Sequence, residues 1–173
     1  MTLANKITVL RILAIPLFII AFIEHHYIAA RFIFILSVSS DALDGAIARI
    51  RGERTTLGSF LDPLADKLLL VATFIAFASV HMIPLWVFIV IFSQDLLVVL
   101  GWTLVYILTG NSKITPRPLG KTTTALQMAF AVAVLFKLPG AFCNLILYAT
   151  IASTILSALD YIWLGNKRLA HLE

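Results

Sequence analysis

The segment Asp41-Ala42-Leu43-Asp44-Gly45-Ala46-Ile47-Ala48-Arg49 is followed, after eight residues, by Gly58-Ser59-Phe60-Leu61-Asp62-Pro63-Leu64-Ala65-Asp66. The first closes one apolar run and the second opens the next. Acids three and four apart share a helical face, so the two segments set four carboxylates, Asp41, Asp44, Asp62 and Asp66, on facing helical surfaces. An aspartate at the centre of a membrane helix costs roughly 2.5–3.5 kcal/mol, so four uncompensated ones total on the order of 10 kcal/mol. Cations must offset that cost. Carboxylate oxygens suit hard divalent ions such as Mg²⁺, Mn²⁺ or Ca²⁺, and the segment lacks the Cys or His cluster that zinc uses. The alternative is an ion-pair network in which Arg11, Arg49 and Lys67 neutralise the acids.

Working outward, the chain has 173 residues, 61% of them hydrophobic and 13% charged, with a mean hydropathy of +1.00. That is far more apolar than a soluble domain and fits a single all-α, polytopic membrane domain over residues 1–173 with six transmembrane helices. The spans are expected at about 7–23, 28–49, 58–80, 85–108, from 119 to the turn Lys137-Leu138-Pro139-Gly140, and 141–164. Glu24-His25-His26-Tyr27 and residues 81–84 read as turns, residues 50–57 as a basic link, and residues 109–118 as the longest polar loop. Pro16 is expected to kink the first span rather than break it.

The formal charge of +4 points to topology rather than to nucleic acid. With the N-terminus cytosolic, only Arg31 and Lys137 of the thirteen Lys and Arg residues fall outside, which predicts both termini and the acidic cluster on the cytosolic side. The single cysteine, Cys143, has no partner for an intrachain disulfide. In the first span Asn5, Thr8 and Arg11 recur every third residue; the plainest role for Arg11 is to snorkel towards headgroups.

The pattern D-x-x-D-G-x-x-A-R, eight residues, G-x-x-x-D-x-x-x-D resembles the signature of the CDP-alcohol phosphotransferases, integral membrane enzymes of phospholipid synthesis. Asp41, Asp44, Gly45, Ala48, Arg49, Gly58, Asp62 and Asp66 occupy its fixed positions. The resemblance implies transfer of a phosphatidyl group from CDP-diacylglycerol to an alcohol with release of CMP, at the inner face of the cytoplasmic membrane and in a homodimer. Breaking a pyrophosphate requires neutralising concentrated negative charge, a task for two Mg²⁺ or Mn²⁺ ions about 3.5–4 Å apart. On this basis Asp41, Asp44 and Asp62 are metal ligands, and Asp66 is a ligand, the general base, or both. Gly45, Ala48 and Gly58 let a flat cytosine ring approach the backbone, and Arg49 contacts the nucleotide or its phosphates; close helix packing explains the small residues equally well.

Acceptor choice rests on weaker signals. Asn5-x-x-Thr8-x-x-Arg11, Asp62-Pro63-Leu64-Ala65-Asp66-Lys67 and Gly120-Lys121-x-x-Thr124-x-x-Gln127 are similar to the phosphatidylglycerophosphate synthase branch, which uses sn-glycerol 3-phosphate. Lys67, Lys113, Arg117 and Lys121 supply cations for a phosphorylated acceptor. Gln94-Asp95 departs from the arginine-acid pair of that branch, so a CDP-diacylglycerol-using cardiolipin synthase, with phosphatidylglycerol as acceptor, is the alternative within the family. From another class, a divalent cation transporter would place its acids at mid-depth between related halves; no internal repeat is evident here.

Overall fold

The computed structural model describes residues 3–51, 56–109 and 118–169, and side chains within them except those of 3–6, 41–51, 56–63, 102, 104–109 and 165–169. Six helices make up the described residues, with no strand among them: α1 (Leu3–Ile23), α2 (Tyr27–Arg51), α3 (Thr56–Ser79), α4 (Leu85–Thr109), α5 (Pro118–Leu135) and α6 (Gly140–Leu169). The shortest has 18 residues and the longest 30, or about 27 to 45 Å at 1.5 Å per residue. A hydrocarbon core is about 30 Å thick. Gly140–Leu164 within α6 is long and apolar enough to cross a membrane, and shorter apolar helical stretches occupy Ile7–Ile23, Tyr27–Ser40 and Leu85–Gly101.

The six helices coincide with the six predicted spans, and the differences lie at their ends. Helix α2 continues through Arg51 and α3 begins at Thr56, so both helices extend into the predicted eight-residue link. Arginine is a good helix former and nothing before Gly52 breaks the pattern. Helix α6 runs five residues past the predicted 164, because a polar end rich in Lys and Arg leaves the apolar run without leaving the helix.

The chain forms two compact units, Met1–Met82 and Ile83–Glu173. In the first, α1 packs against both α2 and α3. Its buried face carries Thr8, Arg11, Ile15, Phe18 and Phe22, spaced three and four apart as one helical stripe requires. Phe18 and Phe22 meet Phe34 of α2 and Phe77 of α3 with ring centroids 5.9 and 5.3 Å apart, within the range of favourable aromatic pairs. On α3 the facing stripe is Ala65, Leu69, Ala72 and Ala76; three alanines at this spacing allow close helix approach.

In the second unit α6 packs against α5 and α4. Here the buried stripe is polar: Thr150, Thr154 and Ser157 on α6, Thr123 and Gln127 on α5, Gln94 on α4. Thr123 Oγ1 lies 2.8 Å from Ser153 Oγ, and Thr150 donates to the Leu126 carbonyl at 3.2 Å. A side chain at Gly120 would place its Cβ 3.0 Å from the Tyr161 hydroxyl, so α5 and α6 approach closely at that point.

Helices α1, α3 and α5 end in the same motif. His25, His81 and Lys137 take left-handed φ values of 61°, 59° and 52°. In each case the next amide reaches back five residues: His26 to Ala21, Met82 to Phe77, Leu138 to Ala133. This is a Schellman C-cap built without the usual glycine. The predicted turns at 24–27, 81–84 and 137–140 are all present.

Candidate active site

The fold carries Asp41, Asp44, Gly45, Ala48 and Arg49 in the last turns of α2, and Gly58, Asp62 and Asp66 in the first turns of α3. With only residues 52–55 between the helices, five Cα steps of about 3.8 Å hold the end of α2 within roughly 19 Å of the start of α3. Of the eight signature side chains, only that of Asp66 lies among the described residues. The grouping of Asp41, Asp44 and Asp62 around an ion, and the roles of Gly45, Ala48, Arg49 and Gly58, fall outside them.

Asp66 is held by the first helix. Arg11 Nη1 donates to Asp66 Oδ1 at 3.0 Å. The Arg11 side chain is 0% exposed and that of Asp66 28%. Arg11 therefore does not snorkel; it sits on the buried stripe of α1, where an unpaired guanidinium would be costly. At this acid the ion-pair alternative is partly realised, with Arg11 as the cation. The remaining exposure of Asp66 leaves it accessible while its position is fixed. The polar Asn5, Thr8, Arg11 repeat in an apolar helix was the sequence signal for an inward-facing function, and the partner was what the sequence withheld.

The acceptor-binding candidates are carried by both units. Lys67, half-exposed, follows Asp66 on α3 in the first unit; Lys121, exposed, lies in the first turns of α5 in the second. Lys113 and Arg117 lie outside the described residues. Gln94, which stands where an arginine was expected, is 6% exposed. Its amide nitrogen is 3.5 Å from the Ser157 hydroxyl of α6, a contact at the long limit of a hydrogen bond. Gln94 thus joins α4 to α6. Asp95 beside it is half-buried. Sequence reading also missed the buried polar stripe of the second unit, although Thr150, Thr154 and Ser157 announce it by recurring on one face of an otherwise apolar helix.

Chemically, the acids near the α2–α3 junction offer oxygen donors alone, and Asp66 among them is accessible and paired with a guanidinium. Such a group can bind a hard cation or accept a proton.

The profile of the CDP-alcohol phosphatidyltransferase family matches residues 1–156. The chain is 33% identical over 180 residues to the CDP-diacylglycerol–glycerol-3-phosphate 3-phosphatidyltransferase of Bacillus subtilis (strain 168), across 92% of this chain and 92% of that protein. It is 30% identical over 172 residues to the protein of the same name from Haemophilus influenzae, across 94% and 92%. The cardiolipin synthase (CMP-forming) of Homo sapiens is 33% identical over 121 residues, which cover 69% of this chain but 39% of that protein. With the two-helix aspartate signature intact and the match running through most of both units, the chain belongs to the CDP-alcohol phosphatidyltransferase family.

Proposed function

We propose that this phosphatidyltransferase moves the phosphatidyl group of CDP-diacylglycerol to sn-glycerol 3-phosphate, releasing CMP. The observation that carries the reading is the complete signature from Asp41 to Asp66, carried on the end of α2 and the start of α3. Relatives named for glycerol 3-phosphate that align over nine-tenths of the chain support the acceptor. The shorter cardiolipin synthase match and the loss of an arginine at Gln94 favour phosphatidylglycerol as the second reading.

The oxygen-only donor set of Asp41, Asp44, Asp62 and Asp66 fits two divalent ions, Mg²⁺ or Mn²⁺. When bound, they supply charge neutralisation for the pyrophosphate and its leaving group. Gly45, Ala48 and Gly58 leave room for the cytidine, and Arg49 meets its phosphates. The acceptor hydroxyl oxygen attacks the lipid-bearing phosphorus, the bond from that phosphorus to the bridging oxygen breaks, and CMP departs with the bridging oxygen. Asp66, accessible and fixed by Arg11, takes the hydroxyl proton. Lys67, Lys113, Arg117 and Lys121 attract the phosphate of the acceptor.

The same reading places the protein in the cytoplasmic membrane as one domain of six transmembrane helices, with both termini and the site cytosolic, in a homodimer. Support for the membrane comes from the distribution of side chains: Leu10, Leu13, Leu17 and Ile20 form an exposed apolar stripe on α1, while Thr8, Thr73, Gln94, Gln127 and Thr150 are buried. Support for one domain comes from a family profile that spans both units. The test is CMP release by purified protein with Mg²⁺ or Mn²⁺, CDP-diacylglycerol and a panel of glycerol 3-phosphate, phosphatidylglycerol, serine and inositol phosphate. Glycerol 3-phosphate should give the fastest release; release with phosphatidylglycerol alone selects the second reading, and none with any acceptor defeats both.

A further inference from the structure

We propose that Arg11 is a positioning residue for the transfer: its guanidinium, paired with Asp66 across the α1–α3 contact, holds that carboxylate in place for the acceptor hydroxyl. The inference rests on the activity just proposed. It is carried by three observations. The bond is short, 3.0 Å. It joins two packed helices, α1 and α3, on whose buried faces Ile15, Ala65 and Leu69 also lie. The exposure is one-sided, with the arginine side chain at 0% and the aspartate at 28%: the cation is sealed into the helix contact while the acid stays reachable.

A charge-assisted bond from a guanidinium holds a carboxylate in one orientation. Arg11 suits this task better than lysine would, because a planar fork fixes orientation and a point ammonium does not. The buried stripe of α1 also makes the arrangement rigid, since Arg11 shares it with Ile15 and Phe18, both sealed in the core of the first unit.

The full-length protein, in detergent or nanodiscs, is to be compared with R11Q and R11K, reading kcat, KM for each substrate, and Mn²⁺ binding by electron paramagnetic resonance. R11Q should lower kcat about 10- to 100-fold, the scale of a misplaced reacting group, with both KM values within about threefold. Mn²⁺ should bind at least as tightly as in the wild type, because a neighbouring positive charge is gone and Oδ1 is released. R11K should fall between the two in kcat. A raised KM for either substrate with kcat unchanged would make Arg11 a substrate contact and overturn the proposal. So would Mn²⁺ affinity falling together with kcat, the sign of a merely structural role. If R11Q does not accumulate as folded protein, R11K decides: lowered kcat at constant KM supports the proposal, and wild-type kcat overturns it. Absence of CMP release from the wild type with every acceptor would defeat the proposed activity instead, and the Mn²⁺ titrations of wild type and R11Q would still report on the pairing.

Discussion

Single residues divide here into those that do chemistry and those that store strain. If Asp44 ligates an ion, Asp44→Asn should reduce kcat at least about 10²-fold, the usual scale for removing one electrostatic group from such a site. The protein should remain inserted and folded; retained turnover, measured as CMP release at saturating substrate, would take Asp44 out of the site. The three left-handed caps make a different case. A non-glycine residue there costs roughly 1–2 kcal/mol of backbone strain, offset in part by the entropy glycine loses on folding. His81, exposed and at φ 59°, is the cleanest position. His81→Gly should raise thermal stability by about 0.5–1 kcal/mol with activity unchanged. Nothing in the sequence announced these caps, because the motif is usually recognised by its glycine; the turns themselves were legible from the polar pair of histidines and from Pro84 and Pro139.

At the scale of helices, apolar run length was enough to locate all six, since a membrane leaves few other options for backbone hydrogen bonds. What run length cannot report is which face turns inward. Arg11 was readable as an anchor because long cations near helix ends usually snorkel, whereas its partner lies 55 residues away. Pairing across helices depends on register, which composition does not encode. The same holds for Gln94, read as a missing phosphate clamp and found joining α4 to α6 through Ser157. Among the described residues its Oε1 is buried without a hydrogen-bond partner, so the amide contributes little to stability. Gln94→Leu should therefore change stability by less than about 1 kcal/mol and leave the KM for the acceptor within about threefold. A large rise in that KM would return Gln94 to the acceptor site. By contrast, Thr123→Val should cost about 0.5–1.5 kcal/mol in thermal denaturation, because Thr123 Oγ1 contacts both the hydroxyl and the carbonyl of Ser153.

For the whole molecule, the decisive feature is the inversion of the usual distribution. Leu145, Tyr148, Leu156 and Trp163 stand out from α6 while Thr150, Thr154 and Ser157 are buried; in water such a surface would drive aggregation, and in hydrocarbon it has no such cost. In the topology proposed above, the three capped turns would face one side of the membrane and the α2–α3 junction the other. That arrangement would leave Arg31 and Lys137 near the capped turns and most other cations on the junction side, which is the positive-inside bias on which the proposed topology rests. Arg11 drops out of that count, since its charge is spent on Asp66 rather than on headgroups, and the asymmetry survives without it. The sole cysteine, Cys143, makes the orientation testable: in a Cys143→Ser background, His81→Cys and Lys137→Cys should react with a membrane-impermeant maleimide added outside intact cells. Lys121→Cys, exposed at the start of α5, should react only after the membrane is opened. The reverse pattern would put the aspartate junction on the outer face, away from the cytosolic glycerol 3-phosphate that the proposed reaction needs.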